Sequence, residues 1–483
     1  MPRFAVPSIG ARGLNVRLLI GLLLSILAEP TGGTPPSLAG RLAWLAGILA
    51  LVAAGGLVAE MVLTRRARLG ARPQELARWQ SRAGAIYGAV WIAAYALFLL
   101  VGRWSDVVAA GVPVSWWLPT RLLLLAPMLL IFLAATWGSF LMVAVVRRAM
   151  AAQGPPHAAA AFTLRAYLGF QLRQQLLILL IPYVFIFAAR DLTVWRIGLR
   201  AETPALLAGV LAVYILSPLM FRYVWPTEPL PPGKLREQLE RIARRSGTGV
   251  SGIFVWRTGG IMVNACMTGV ARPLRYVFLT DTLVREFHPA QVDAIFGHEL
   301  GHARYWHMPF YMLMALGSML ILALAAPALV RLPGRPELLA LLIIVPYWGL
   351  FFGYMSRRFE WQCDLLGARL VACPGEHDAT ACSTHRPESK ADEDDICPYQ
   401  AWAFTSALAR IAALGGVAPS ARSWRHGSIS HRILRVNQLI NRPGDVRRFD
   451  HRLWTFKVYF FLGLALLGIL VYFGERAGWF RGR

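Results

Sequence analysis

The sequence predicts a mostly α, polytopic membrane protein in which a smaller α+β region is divided by a transmembrane hairpin. Three features lead to this. Hydrophobic residues fill 56% of 483 positions, far above the balance of an ordinary soluble domain. Apolar stretches recur at lengths that can cross a bilayer. Between the later stretches stand two long polar segments with mixed strand and helix signals.

Apolar stretches of spanning length fall near 39–64, 83–102, 121–146, 205–222, 309–330, 338–356 and 453–473, with a shorter candidate at 174–189. Residues 18–28, after Arg17, form a run of eleven, short for an untilted span and similar in length to a signal-peptide core. Without a convincing small-x-small cleavage site, the run is read as a short first span. Nine crossings then give about six leading spans over 1–222, a polar segment 223–308, a hairpin 309–356, a second polar segment 357–452, and a last span with its tail over 453–483. No repeat of solenoid type is evident.

Charge sets the expected orientation. Loop 65–82 carries Arg65, Arg66, Arg68, Arg72, Arg78 and Arg82, and 147–173 carries Arg147, Arg148, Arg165 and Arg173, whereas 103–120 has only Arg103 and Asp106. The first two loops are therefore expected in the cytoplasm. Alternation puts 223–308 and 357–452 on the same side, as in a bacterial inner-membrane protein with its catalytic segments facing the cytoplasm. The formal net charge of +24 raises the question of a nucleic-acid partner. The arginines flank apolar spans instead of forming one basic module, which fits topology and anionic-lipid contact and excludes nucleic acid.

Five cysteines, Cys266, Cys363, Cys373, Cys382 and Cys397, do not form a disulfide-framework pattern. Three of them punctuate an insert, 373–398, with Pro374, Gly375, Pro387 and the run Asp392-Glu393-Asp394-Asp395. It reads as a mobile acidic loop. With His377 and His385 a second metal site is conceivable, but the spacing matches no standard zinc module. A Cys373–Cys397 staple becomes plausible only if the topology is inverted.

The chemistry-bearing residues are His298-Glu299-Leu300-Gly301-His302. Residues four apart in a helix share a face, so two imidazoles can reach one metal, with Glu299 beside it as candidate general base. Some sixty positions on, Arg358-Phe359-Glu360-Trp361-Gln362-Cys363-Asp364 offers Glu360 as third ligand, in a run from Ser356 to Leu370 whose alternation suits a helix. A catalytic zinc takes three protein ligands and keeps one open position. Asp364, one turn after Glu360, could accept the ring N–H of a ligating histidine. Two histidines merely decorating an amphipathic helix would account for an isolated HExxH, not for this compound pattern. A metzincin is excluded, because its glycine and third histidine would fall at Tyr305 and Met308; His307 reads as a polar residue at a helix end.

Around this motif, Ile253 to Arg257 and Ile261 to Cys266 flank Thr258-Gly259-Gly260 and predict a hairpin, with a further strand at 274–279. Pro289 suits the first turn of the metal helix, and Val292, Ile295, Phe296 and Leu300 can bury its other face.

In order, Asn264-Ala265 with Gly269, Leu279-Thr280-Asp281, His298 to His302, Glu360-xxx-Asp364 and His426-Gly-Ser-Ile-Ser-His431-Arg432-Ile433 resemble successive blocks of the integral-membrane zinc metalloproteases that include HtpX and the CAAX prenyl protease. The resemblance covers roughly 235–441; the first half of the chain matches by hydrophobicity only. It implies a gluzincin-type α+β zinc metalloprotease domain split by the transmembrane hairpin. It also implies zinc ligands at His298, His302 and Glu360, the base at Glu299, a supporting carboxylate at Asp364 and a transition-state role for His426. Asn264 and Ala265 are expected on a strand edge open to extended peptide, and Arg432 either secures its helix or contacts substrate. Two departures stand out: Gly427 replaces the usual proline after His426, leaving His431 as a rival, and Cys363 occupies a position commonly alanine.

The expected function is a membrane-embedded, zinc-dependent endopeptidase with one Zn2+ per chain, a protein or peptide substrate and a lipid bilayer around it. The competing class is a catalytically silent, chaperone-like or interaction protein retaining the fold; the complete ligand set and Glu299 weigh against it. A transporter would explain the spans but not the ligand constellation. A site-two-type intramembrane protease needs an aspartate-bearing motif in a later span, which is missing.

Overall fold

In lipid a backbone has no hydrogen-bond partner but itself, so long apolar runs become helices. The computed structural model describes residues 11–28, 30–31, 34–112, 116–152, 163–260, 262–331, 336–377, 380–382, 394–414 and 418–478. The chain falls into two units, Met1–Thr227 with Trp256–Val263 and Leu414–Gly416, and Glu228–Val255 with Asn264–Ala413 and Val417–Arg483.

The first unit holds helices α1 (Ala11–Leu27), α2 (Leu38–Arg68), α3 (Pro73–Leu100), α4 (Trp104–Gly111), α5 (Trp117–Ala151), α6 (Leu164–Gln171), α7 (Ile178–Ile197) and α8 (Glu202–Val224). The Ser37 hydroxyl caps α2, accepting from Gly40 N at 3.3 Å. A π-helical turn, Leu172–Leu177, carries α6 into α7, so the short candidate at 174–189 becomes part of one helical run, Leu164–Ile197. Trp91, Tyr95, Phe98 and Phe132 are fully buried in the core. Buried Asp106 is paired there, accepting from Thr31 N at 2.7 Å and Thr31 Oγ1 at 2.8 Å.

Among the described residues, six helices are long and apolar enough to cross a membrane: Leu38–Arg68, Glu75–Leu100, Trp117–Ala149, Leu164–Ile197, Leu199–Val224 and Pro443–Gly474. The chain is a multi-pass membrane protein. The other expected crossings are not among these six helices. Residues 18–28 form only a short apolar helix, Arg17–Ile26. The stretch 309–330 lies in α12 (His307–Arg331), whose first part, His307–Leu322, follows the preceding helix across a 46° bend. The stretch 338–356 runs through α13 (Pro336–Pro346), a π-helical turn and the start of α14 (Gly353–Leu370), and is not among the six.

The second unit is built on a four-stranded sheet of β1 (Thr227–Pro229), β2 (Gly252–Trp256), β3 (Ala265–Thr268) and β4 (Tyr276–Thr280), in the order β1-β2-β4-β3, with α9 (Lys234–Arg245) between β1 and β2. This corrects the expected hairpin. Gly259 and Gly260 do turn, at φ +63° and +74°, but β2 pairs with β4, not with the segment after the turn. The antiparallel hairpin is β3–β4, in register Ala265 with Leu279 through Thr268 with Tyr276.

After α10 (Asp281–Glu286) comes α11 (Pro289–Arg304). Its start is fixed by a capping box: His288 Nδ1 accepts from Ala290 N at 3.3 Å, and Gln291 Oε1 accepts from His288 N at 3.1 Å, with Pro289 in the first turn. Eleven of its sixteen residues are buried, against α14, β3 and α9. The sequence of α9, KLREQLERIARR, is far too charged for lipid, so α11 packs against protein on that side. The corner between α11 and α12 is Trp306, at a left-handed φ of +60°.

The crossing of α11 and α14 depends on small residues. A Cβ at Gly367 would stand 2.5 Å from the Ala294 carbonyl oxygen and 3.0 Å from His298 N, and one at Gly297 would stand 3.1 Å from Gly367 Cα. The chain then forms a two-stranded hairpin, β5 (Glu376–His377) with β6 (Thr380–Ala381), followed by α15 (Pro398–Leu414), α16 (Ile429–Gln438) and α17 (Pro443–Arg476). The hairpin replaces part of the expected mobile loop. His385, Pro387, Asp392 and Glu393 lie outside the described residues.

Gly367→Ala should lower the thermal midpoint of the detergent-purified protein, at a cost of about 1–3 kcal/mol, since backbone atoms on α11 would have to move. Gly463→Ala, with nothing within 4 Å of the added carbon, serves as the tolerated control. Equal midpoints for the two variants would show that the crossing has room to spare.

Candidate metal centre

Two helices bring the expected ligands together. On α11, His298 and His302 lie one turn apart; on α14, Glu360 faces both. His298 Nε2 is 3.6 Å from Glu360 Oε2 and His302 Nε2 is 3.8 Å from Glu360 Oε1. These separations exceed hydrogen bonds, yet one donor atom from each residue lies within 4.8 Å of the others. Two imidazole nitrogens and a carboxylate spread around a common point, without bonding each other, match the donor set and spacing of a metal site.

Electrostatics suits ligands. Burial pushes His302 down to about 3, which keeps its imidazole neutral. Burial alone would raise Glu360, but His426, Arg432 and His298 together hold it well below the usual carboxylate range. Glu299 behaves differently: burial pushes its carboxyl up to about 7, with the charge of nearby Glu360 adding to the rise and His298 opposing it. Its Oε2 accepts a hydrogen bond from Met267 N of β3 at 3.0 Å.

Asp364 stands behind His298, with its Oδ1 2.9 Å from His298 Nδ1. Arg432, placed with the substrate-binding residues on sequence grounds, is buried on α16, donates from Nε to Asp364 Oδ2 at 2.9 Å and brings Nη1 to 3.4 Å from Glu360 Oε2. These donors serve the two carboxylates.

His426 Nδ1 is 2.9 Å from Glu360 Oε1, and the ring is half exposed. His431 points away, its ring 5.4 Å from that of Trp361. The turn that aims His426 explains the departure at Gly427. Gly427 N donates to Ser423 O at 2.9 Å, Ser423 N donates to Gly427 O at 3.1 Å, and Gly427 has φ +72°. Proline has no N–H and cannot reach that φ. Asn264 is exposed just before β3; its backbone is spent on β4, exchanging bonds with Thr280. Ala265 begins β3, an edge strand. Backbone groups alternate sides along a strand, so Ala265 shares with Met267 the open side on which Glu299 lies.

Sequence reasoning missed His307. It does stand at a helix end, but it is fully buried and stacked on Phe359 with ring centroids 4.0 Å apart. Its Nδ1 is 3.3 Å from His302 Nδ1 and its Nε2 is 3.0 Å from Gln362 Oε1. Gln362 Nε2 in turn donates to Asp450 Oδ1 at 2.9 Å. Only its position five residues after His302 could have flagged it.

Comparison with known proteins bears on the same stretch. Residues 229–422 match the model of peptidase family M48. The chain is 28% identical over 180 residues to a CAAX prenyl protease 1 homolog of Oryza sativa subsp. japonica, covering 33% of this chain and 41% of that protein. It is 30% identical over 176 residues to a CAAX prenyl protease 1 homolog of Arabidopsis thaliana, covering 32% and 40%. The chain thus spans about two fifths of the length of these curated relatives. A crystal structure of S. mikatae Ste24p aligns with a TM-score of 0.46 and 16% identity, over 84% of this chain and all of that one. The chain therefore resembles peptidase family M48 over residues 229–422 and, over a similar length, the CAAX prenyl protease homologs.

Proposed function

We propose that this chain is a membrane-embedded, zinc-dependent endopeptidase whose catalytic segments face the cytoplasm and whose substrates are membrane-associated or unfolded proteins. The observation that carries the reading is the convergence of His298, His302 and Glu360 beside the Glu299 carboxylate, held by Met267 N. These three residues would hold the zinc, which when bound supplies Lewis acidity and lowers the pKa of water. Everything else in the chemistry belongs to the protein's own groups.

Glu299 would act as general base and then return its proton to the departing amine; a pKa near neutrality suits both halves of that task. The Met267 N–H fixes one of its oxygens. An extended peptide laid along the open edge of β3 could pair with Ala265 and reach Glu299; the exposed Asn264 side chain would border it. His426 would donate to the oxyanion that develops on the scissile carbonyl. For His302 to bind through Nε2, its Nδ1 must carry the hydrogen and donate to His307 Nδ1, whereupon His307 donates from Nε2 to Gln362. The contact distances of 3.3 and 3.0 Å are consistent with that one tautomer assignment.

Comparing cellular protein termini between cells with the wild-type chain and with Glu299→Gln tests the reading directly. New termini should depend on Glu299, and identical terminal profiles would leave the silent, chaperone-like alternative. In purified protein Glu299→Gln should retain zinc and lose hydrolysis, while His298→Ala, His302→Ala and Glu360→Ala should lose the metal from this centre.

His426→Ala should keep zinc and lower turnover by about 10²–10³-fold, the loss expected for one oxyanion donor. His431→Ala should be mild. A large defect in the second variant with none in the first would transfer the role to His431. His307→Phe, which preserves stacking on Phe359 and removes the ring nitrogens, should weaken zinc affinity by about 10–100-fold in chelator competition; unchanged affinity would reduce His307 to packing.

A further inference from the structure

The three remaining buried thiols converge away from the centre described above. The Sγ atoms of Cys373, Cys382 and Cys397 lie within 4.8 Å of one another. Cys382 and Cys397 are buried and Cys373 is partly so. Separate pieces of backbone deliver them. Cys373 leads into the β5–β6 hairpin and Cys382 directly follows it, with Cys382 N donating to Gly375 O at 2.7 Å. Cys397 immediately precedes α15. Its N–H donates to Gln400 Oε1 at 3.1 Å, and Gln400 Nε2 donates to Val371 O at 2.9 Å, tying the first turn of α15 to the end of α14.

We propose that Cys373, Cys382 and Cys397 form a second, structural zinc site that staples the C-terminal end of α14 to the start of α15 through the β5–β6 hairpin. Three arguments support it. Structural zinc takes three thiolates together with a fourth ligand, and sequence spacing alone would not reveal a set whose thiols come from a hairpin and a helix start. Gly375 N lies 3.4 Å from Cys373 Sγ and donates to it; a backbone N–H two residues on is the kind of donor that supports a metal-bound thiolate. Finally, a hairpin of two residues per strand has no core of its own and needs something else to hold it.

The redox reading is weaker. A disulfide would use two of the three sulfurs and leave the third without a role. Burial, the larger effect, raises both Cys373 and Cys397, so without an ion these two lack the thiolate character of a redox sensor. An ion reverses that balance by deprotonating its thiol ligands.

The test measures zinc by mass spectrometry in the full-length chain purified in detergent with zinc supplied, as wild type, Cys373→Ser, Cys397→Ser and His302→Ala. Each cysteine variant should hold about one zinc fewer than wild type, and His302→Ala should keep the thiol-bound ion, so this site and the HExxH centre fail or stand separately. In cobalt-substituted protein, a sulfur-to-cobalt charge-transfer band should persist in His302→Ala and vanish in Cys373→Ser. Because the serine variants could fail to fold, alkylation of the wild type is the third measurement. The three cysteines should resist iodoacetamide until a chelator is added and then react together. Equal zinc in wild type and cysteine variants, free alkylation in zinc-loaded wild type, or a disulfide between any two of the three in protein purified without reductant would each overturn the site.

Discussion

Burying Glu360 and Asp364 one turn apart on α14 is the constraint on which the second unit depends. Two carboxylates in a low-dielectric interior repel each other and lose their hydration, so both would favour the neutral form. Here both are held ionised: burial raises Asp364, but Arg432 outweighs it, and the net shift is downward. The guanidinium fork suits the task because it can meet two acceptors at once. Breaking such a cluster by removing one partner costs more than its net contribution, since the remaining charge is left uncompensated. That is why a residue on α16, almost seventy positions away, is part of the centre.

The need for Arg432 also fixes the loop before it. Ser428 caps α16, accepting from His431 N at 3.3 Å, and the Ser423–Gly427 turn sits directly upstream. One short segment therefore sets both the guanidinium behind Glu360 and the imidazole in front of it. On the opposite side, α11 approaches α14 closely enough for its histidines to share a centre with Glu360 only because Gly297 and Gly367 remove side chains from the crossing. The same helix turns Glu299 toward β3, so ligand and base are separated by facing different elements.

How much of this was legible depended on whether the determinant was local. Ligand spacing on α11, the one-turn step from Glu360 to Asp364 and the Pro289 start are properties of a single helix, and sequence carried them. Strand partners are not local: the Thr258-Gly259-Gly260 signal marked a real turn but could not say that β4, arriving later, would occupy the edge of β2. The role of Arg432 was missed for the same reason, because nothing near it in sequence names Asp364 as its partner. His307 was discounted because a helix-end histidine is usually solvated, and burial against Phe359 emerges only when α12 and α14 pack. At 18–28 hydropathy marked a real apolar helix, and its shortness, Arg17–Ile26, was already legible as a run of eleven.

The links behind His302 also tie the centre to three helices flanked by apolar stretches. From His302 the contacts pass to His307 at the first residue of α12, to Gln362 on α14 and to Asp450 on α17. Each of these helices has an apolar stretch adjoining that contact: 309–330 follows His307, 338–356 precedes Gln362, and 453–473 follows Asp450. At 1.5 Å per helical residue, the three contacts stand within roughly 10 Å of the ends of those stretches. The polar contacts behind His302 therefore gather where three apolar stretches end, which ties the orientation of its ring to the packing of α12, α14 and α17.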